Sequence, residues 1–161
     1  MFTKVLIAED FDSINIALIQ TLENMGVKEI EHAKYCDDAL LKAKKAIQDK
    51  APFDLLISDL SFETDYRKVN LKNGEELIGA IRQIQPTIPV LVYTVEDKSF
   101  VIKSLVEDLK VNAFVHKGRN SISKLKTAME TILFGGTFVS QNLAHALKEN
   151  SFNEIEEYDI Q

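Results

Sequence analysis

Leu55–Leu77 reads LLISDLSFETDYRKVNLKNGEEL. With Phe53 and Asp54 ahead of it, the stretch opens as a short apolar run that stops at a single acid, Asp59. A polar passage leads to Asn73-Gly74, and a helical pattern then begins with Leu77, Ile81 and Ile84. A run this short and this apolar, bounded by turn residues, reads as a strand covered on both faces, the kind that fills parallel sheets. An acid at its carboxyl end stands where open α/β sheets bind their ligands.

The alternation continues in both directions along the chain. Strand-like runs occupy Lys4–Ala8, Glu29–Ala33, Phe53–Ser58, Pro89–Thr94 and Ala113–Lys117. Four are apolar nearly throughout. The second, EIEHA, is polar and alternating, which predicts an edge position. Between them lie helical stripes: Ile14, Leu18, Leu22 and Met25; Leu40, Ala43 and Ile47; Val101, Leu105 and Leu109; Ile122, Leu125, Met129 and Ile132. Asp12, Asp37 and Asp97 stand where helix N-caps are expected, and Met25-Gly26 and Asn73-Gly74 mark turns. The order βαβαβαβαβα predicts a flavodoxin-like, doubly wound α/β fold with five parallel strands in the order 2-1-3-4-5. One more short helix is expected around Gln141–Lys148.

Length and composition agree. The chain has 161 residues, 45% hydrophobic and 27% charged, which suits one domain with a proper core and an appendage. Lys plus Arg is 19 and Asp plus Glu is 25, a net charge of −6. An acidic chain is a poor non-specific partner for nucleic acid or anionic membrane. Cys36 is the one cysteine, so no internal disulfide forms. The opening MFTKVLIAED reaches acids too soon for a signal peptide, and no apolar run has bilayer length, so a cytoplasmic location is expected.

Polar residues gather after the strands. Glu9 and Asp10 follow the first, Ser58 and Asp59 end the third, Thr94 ends the fourth and Lys117 the fifth. Each alone is commonplace: an Asp as a turn former, a Lys as a solvated charge, a Thr as a good strand residue. Together they are a chemical set. Clustered carboxylates repel and favour a cation, and Mg²⁺, or Mn²⁺ in its place, suits carboxylates with a backbone carbonyl and waters. Lys117 offers a positive charge and Thr94 a hydroxyl to a phosphoryl group. Carboxylates form acyl phosphates, so the set suffices to phosphorylate an aspartate.

LIAED with Glu9-Asp10, LLISDLS with Asp59, VLVYT with Thr94 and NAFVHKG with Lys117, in this order on alternating strands, resemble a response-regulator receiver domain of CheY-like fold. The resemblance covers roughly Lys4 to Leu133. It implies that Asp59 is phosphorylated by a histidine kinase or phosphorelay protein. It implies a metal site of Glu9, Asp10, Asp59 and the Ser61 backbone carbonyl, with Thr94 and Lys117 holding the phosphoryl group. Thr94 and Phe114 take the places of switch residues. Phe114 would serve equally as a strand core residue. On this reading the domain catalyses its own phosphotransfer and hydrolysis but is not a turnover enzyme. The segment KGRNSISKLKTAMETILFGGTFVSQNLAHAL is similar to the last helix and linker of LuxR/NarL-type regulators. That divides the chain into a receiver (1–134), a linker helix (135–150) and a tail (151–161) resembling the start of a truncated helix-turn-helix domain. Homodimerisation on activation, and DNA contact through the remainder of such a domain, are the implied outputs.

Some positions depart from the family. Glu63 stands where Pro is usual, Gly74 comes late after the added TDYRKVNLK, Val95 replaces a small residue and Gly118 follows Lys117. The branched Val95 is expected to narrow access to Asp59 and slow its chemistry, and Glu96 stands where charge acts on attacking water. The loop from Glu63 to Asn73 is expected to be a solvated excursion. Two other readings remain. An atypical receiver would act as a dimerisation module without phosphate. A haloacid-dehalogenase-type phosphohydrolase would need a second acid two residues after Asp59, where Ser61 stands.

Overall fold

A computed structural model describes residues 1–63 and 68–140. They divide into two compact units, Met1–Tyr93 and the residues from Thr94 onward. The first contains β1 (Lys4–Ala8), α1 (Asp12–Asn24), β2 (Glu29–Ala33), α2 (Cys36–Gln48), β3 (Leu55–Ser58), α3 (Gly74–Ile84) and nearly all of β4 (Val90–Thr94). The second contains α4 (Ser99–Glu107), β5 (Ala113–His116), α5 (Ser121–Leu133) and β6 (Phe138–Val139). The strand order is β2-β1-β3-β4-β5-β6. The doubly wound parallel fold and the order 2-1-3-4-5 are as the sequence predicts, with a sixth short strand added.

Burial explains the strand signals. Every residue of β3 and β4 is buried, as are the last four of β1, whereas β2 buries only Ala33 and lies at the sheet edge. The helical stripes are shifted slightly from expectation. On α1 the buried face runs through Asn15, Leu18, Thr21 and Leu22, so Asn15 takes the place expected of Ile14. On α2 it runs through Cys36, Ala39, Ala43 and Ala46, and Ile47 is exposed. On α3, Leu77, Ile78 and Ile81 are fully buried, and each such side chain contributes roughly 1.5–3 kcal/mol by leaving water.

The expected N-caps are a correction. Asp12 and Asp37 lie inside the first turns of α1 and α2, and Asp97 precedes the N-cap of α4, Lys98. Asn73, expected as part of a turn, is the true cap of α3: its side chain accepts from the Glu76 N–H at 2.9 Å. Asp12 and Asp37 still favour their helices, since acids in a first turn complement the helix dipole.

β6 arises because α5 ends in a glycine turn. Gly135 has φ of +82°, a left-handed conformation that suits glycine, and the chain reverses there. Phe138 then donates to the Asn112 carbonyl at 3.0 Å and Ser140 to the Phe114 carbonyl at 3.0 Å. The Ser140 hydroxyl accepts from the His116 N–H at 3.3 Å, and the residue is fully buried. So the first residues of the segment expected as a linker helix (135–150) include a strand. The helix expected at 141–148 and the tail at 151–161 lie outside the described residues. Among the described residues, no helix is long and apolar enough to cross a membrane.

Candidate metal centre

Strand register brings the acids together. Ala8 of β1 is the partner of Ser58 of β3, so Glu9 and Asp59 leave the sheet at the same level. The Asp59 N–H donates to the Ala8 carbonyl at 3.0 Å and fixes this exit. One carboxylate oxygen from each of Glu9, Asp10 and Asp59 lies within 4.8 Å of the others. Glu9 is 1% exposed and Asp59 6% exposed. Three negative charges this close repel strongly in a poorly hydrated corner, and a divalent cation with oxygen preference relieves that repulsion. The donor set therefore fits Mg²⁺.

Backbone groups hold each acid. Asp59 Oδ1 accepts from the Leu60 N–H at 2.7 Å, and the Asp59 carbonyl accepts from the Ser58 hydroxyl at 2.7 Å. Glu9 Oε1 accepts from the Phe11 N–H at 3.2 Å, and Asp10 Oδ2 from the Glu63 N–H at 2.8 Å. The Glu9 carbonyl accepts from the Asn15 side-chain amide at 2.8 Å. Ser61 follows on the exposed start of the loop.

The loop returns to where it left. The Gly74 N–H donates to the Leu60 carbonyl at 2.8 Å, which closes the excursion at its neck. A Cβ on Gly74 would fall on the Asp59 carbonyl oxygen and lie 2.8 Å from the Leu60 Cα, so only glycine permits this approach. On the far side, both Asp37 carboxylate oxygens accept from the loop backbone, Oδ2 from Asn70 at 3.0 Å and Oδ1 from Leu71 at 2.8 Å. Lys72 donates its N–H to Glu76 Oε2 at 2.7 Å. Buried beside Asp37, the Cys36 thiol is pushed up to about 12 by desolvation first and then by the charges of Asp37, Asp10, Glu76 and Asp59.

In the second unit, Thr94 and Lys117 are joined directly. The Lys117 N–H donates to the Thr94 carbonyl at 2.8 Å, and Thr94 Oγ1 accepts from the Glu96 N–H at 3.0 Å. Phe114 is fully buried in β5, while Val95 is 66% exposed. The Val95 carbonyl lies 3.2 Å from His116 Nε2.

A family model described as the response regulator receiver domain matches residues 5–130. The chain belongs to that family. The receiver is similar in structure to a two-component response regulator of the LuxR family from Aurantimonas sp. SI85-9A1 (TM-score 0.78, 19% identity), covering 94% of this chain and 99% of that one. It is also similar to the isolated REC domain of RcsB from Salmonella enterica serovar Typhimurium with the phosphomimetic BeF3- (TM-score 0.75, 22% identity, 91% and 99% covered). A third, an RcsB–DNA complex, matches with a TM-score of 0.75 and 21% identity over 92% of this receiver and 68% of that chain. No curated protein matches in sequence.

Three residues in or around the site were not singled out for it by the sequence. Gly74 signalled only a turn, because its closeness to Asp59 spans the whole loop. Asn15 was passed over because the stripe on α1 was drawn through its neighbour Ile14. Asp37 was read as a cap, and its bonds to Asn70 and Leu71 depend on where the loop lands.

Proposed function

We propose that this receiver accepts a phosphoryl group on Asp59 from a histidine kinase or phosphorelay protein, and that the modification switches the output of a longer regulator. The approach of Glu9, Asp10 and Asp59 within 4.8 Å, in a chain of this family, carries the reading. Glu9, Asp10, Asp59 and the Ser61 carbonyl would hold Mg²⁺. Bound there, the ion would offset the carboxylate charge and draw a phosphoryl oxygen toward Asp59.

The chemistry assigned to the chain is simple. An Asp59 carboxylate oxygen attacks the donor phosphorus. An O–P bond forms as the phosphorus–leaving-group bond breaks, and the leaving group keeps that electron pair and takes a proton from water. Such transfers depend mostly on positioning and charge neutralisation. The Lys117 ammonium and the Thr94 hydroxyl take the remaining phosphoryl oxygens, following the family pattern. Capture of Thr94 then biases a two-state equilibrium that Phe114 follows. Hydrolysis of the acyl phosphate resets the domain, so it is a self-modifying switch and not a turnover enzyme. RcsB neighbours are described as dimers bound to DNA. That supports homodimerisation, with DNA contact made by a further domain, as the output, in a cytoplasmic regulator of LuxR type.

Incubation with MgCl₂ and acetyl phosphate, read by intact mass, tests the reading. A single phosphoryl adduct is expected with the parent chain, and none with Asp59→Ala or in excess chelator. An adduct that persists in Asp59→Ala would move the acceptor elsewhere. An unmodified parent, with folded protein and with phosphoramidate as well, would favour a module that works without phosphate.

A further inference from the structure

Asn15 lies on the buried face of α1 beside Leu18 and Leu22 and is 3% exposed. Its amide Nδ2 donates to the Glu9 carbonyl at 2.8 Å in a buried bond. Its Oδ1 is buried and has no hydrogen-bond partner among the described residues. Turning the amide over does not help, because it would set that oxygen against another acceptor. For folding alone this is a poor arrangement. A buried acceptor without a donor costs stability, and the amide's own bond to the Glu9 carbonyl offsets only part of that cost; a leucine of similar size would remove both.

The carbonyl that Asn15 holds belongs to the peptide joining Glu9 to Asp10. A peptide is planar and turns as one body. Fixing its oxygen therefore fixes the direction in which the Asp10 Cα, and with it the Asp10 carboxylate, leaves the strand. The same turn is braced by the Glu9 N–H donating to the Ala33 carbonyl at 3.1 Å and by the Phe11 N–H on Glu9 Oε1. Backbone groups supply those two bonds, whereas Asn15 supplies a side chain that a substitution can remove.

We infer that Asn15 is a positioning residue for cation binding, which sets the Glu9–Asp10 peptide so that both carboxylates meet Asp59, at a standing cost in stability. The inference rests on the reading of the three acids as a Mg²⁺ site. Groups that orient metal ligands from behind typically change affinity 10–100-fold when removed.

The test uses the full 161-residue chain. MgCl₂ is titrated calorimetrically into the parent and into Asn15→Leu, and the stability of each is measured in urea without metal. About a tenfold or greater rise in the Mg²⁺ dissociation constant is expected, with any loss of metal-free stability clearly smaller than the affinity loss. An affinity within about twofold of the parent overturns the inference. So does a metal-free stability loss matching the affinity loss, which would mean general loosening. Asn15→Ala, which removes the donor and the unpartnered acceptor together, is judged by the same two numbers if the leucine variant does not fold. Failure of the parent itself to bind Mg²⁺ overturns the metal-site reading and this inference together, whereas failure confined to the variants leaves the metal site standing.

Discussion

β1 and β3 end at the same level of the sheet but leave it differently. From Ala8 the chain needs only Glu9, Asp10 and Phe11 before α1 begins, whereas from Ser58 it runs through fifteen residues, Asp59 to Asn73, before α3. Both exits nevertheless deliver a buried carboxylate to one corner. The short exit is braced within itself, by Phe11 on Glu9 and Asn15 on the Glu9 carbonyl. The long exit is braced at its neck, where Gly74 meets Leu60. Loop length therefore matters little to the site as long as the neck closes and Glu63 stays on Asp10, in keeping with the slow growth of closure entropy with length.

The largest effect is expected from wedging the neck open. Gly74→Val sets a side chain on the Asp59 carbonyl and the Leu60 Cα. We expect a loss of about 3 kcal/mol or more in urea unfolding, with loss of Mg²⁺ binding by calorimetry, because overpacking against backbone leaves little to yield. Gly79→Ala serves as the control, since a Cβ there meets nothing within 4 Å; it should be neutral or stabilise by up to about 1 kcal/mol. Parent-like behaviour in Gly74→Val would mean that the neck does not set the position of Asp59.

A smaller effect is expected at the far end of the loop. Asp37→Ala removes the acceptor of the Asn70 and Leu71 N–H groups. Both groups can turn to water, so the expected cost is about 1–2 kcal/mol. Mg²⁺ affinity should stay within about twofold of the parent, because the neck remains closed. A large loss of affinity would show that the Asp37-bound end of the loop also bears on the acids, beyond the Glu63 N–H that already meets Asp10.

An effect confined to alkaline pH, and absent near neutrality, concerns the thiol beside Asp37. In the folded chain Cys36 keeps its proton up to about pH 12, while an unfolded chain gives it up near 9.0. Its contribution is whole below pH 9.0 and declines as the pH climbs toward 12, because the unfolded state loses its proton first. A Cys36→Ala chain should lose less stability than the parent across that window in urea titrations. A parallel decline in both chains would place the titration elsewhere.

Much of this corner was legible in the residues. Apolar runs ending in Glu9-Asp10 and Asp59 follow from burial on both faces of a parallel sheet, and the order of βα units leaves few topologies. The stripe on α2 agreed at Ala43 and was off by one position at Leu40 and Ile47, because the buried neighbours Ala39 and Ala46 are weak signals beside them. The N-caps were misplaced because Asp12 and Asp37 favour a first turn by charge as readily as they cap one. Contacts such as Gly74 on Asp59 join residues far apart in sequence, and no local pattern records them. β6 escaped notice because two residues carry no periodicity.

That short strand has a consequence for solubility. A bare strand edge is a template on which another chain can add. Phe138 and Ser140 occupy the Asn112 and Phe114 carbonyls, and the Ser140 hydroxyl takes the His116 N–H. A version of this chain cut before Phe138 would leave those groups, in β5 and just before it, without their cover. It would gain a sticky edge, and its aggregation on standing would measure how well two residues and a serine guard it.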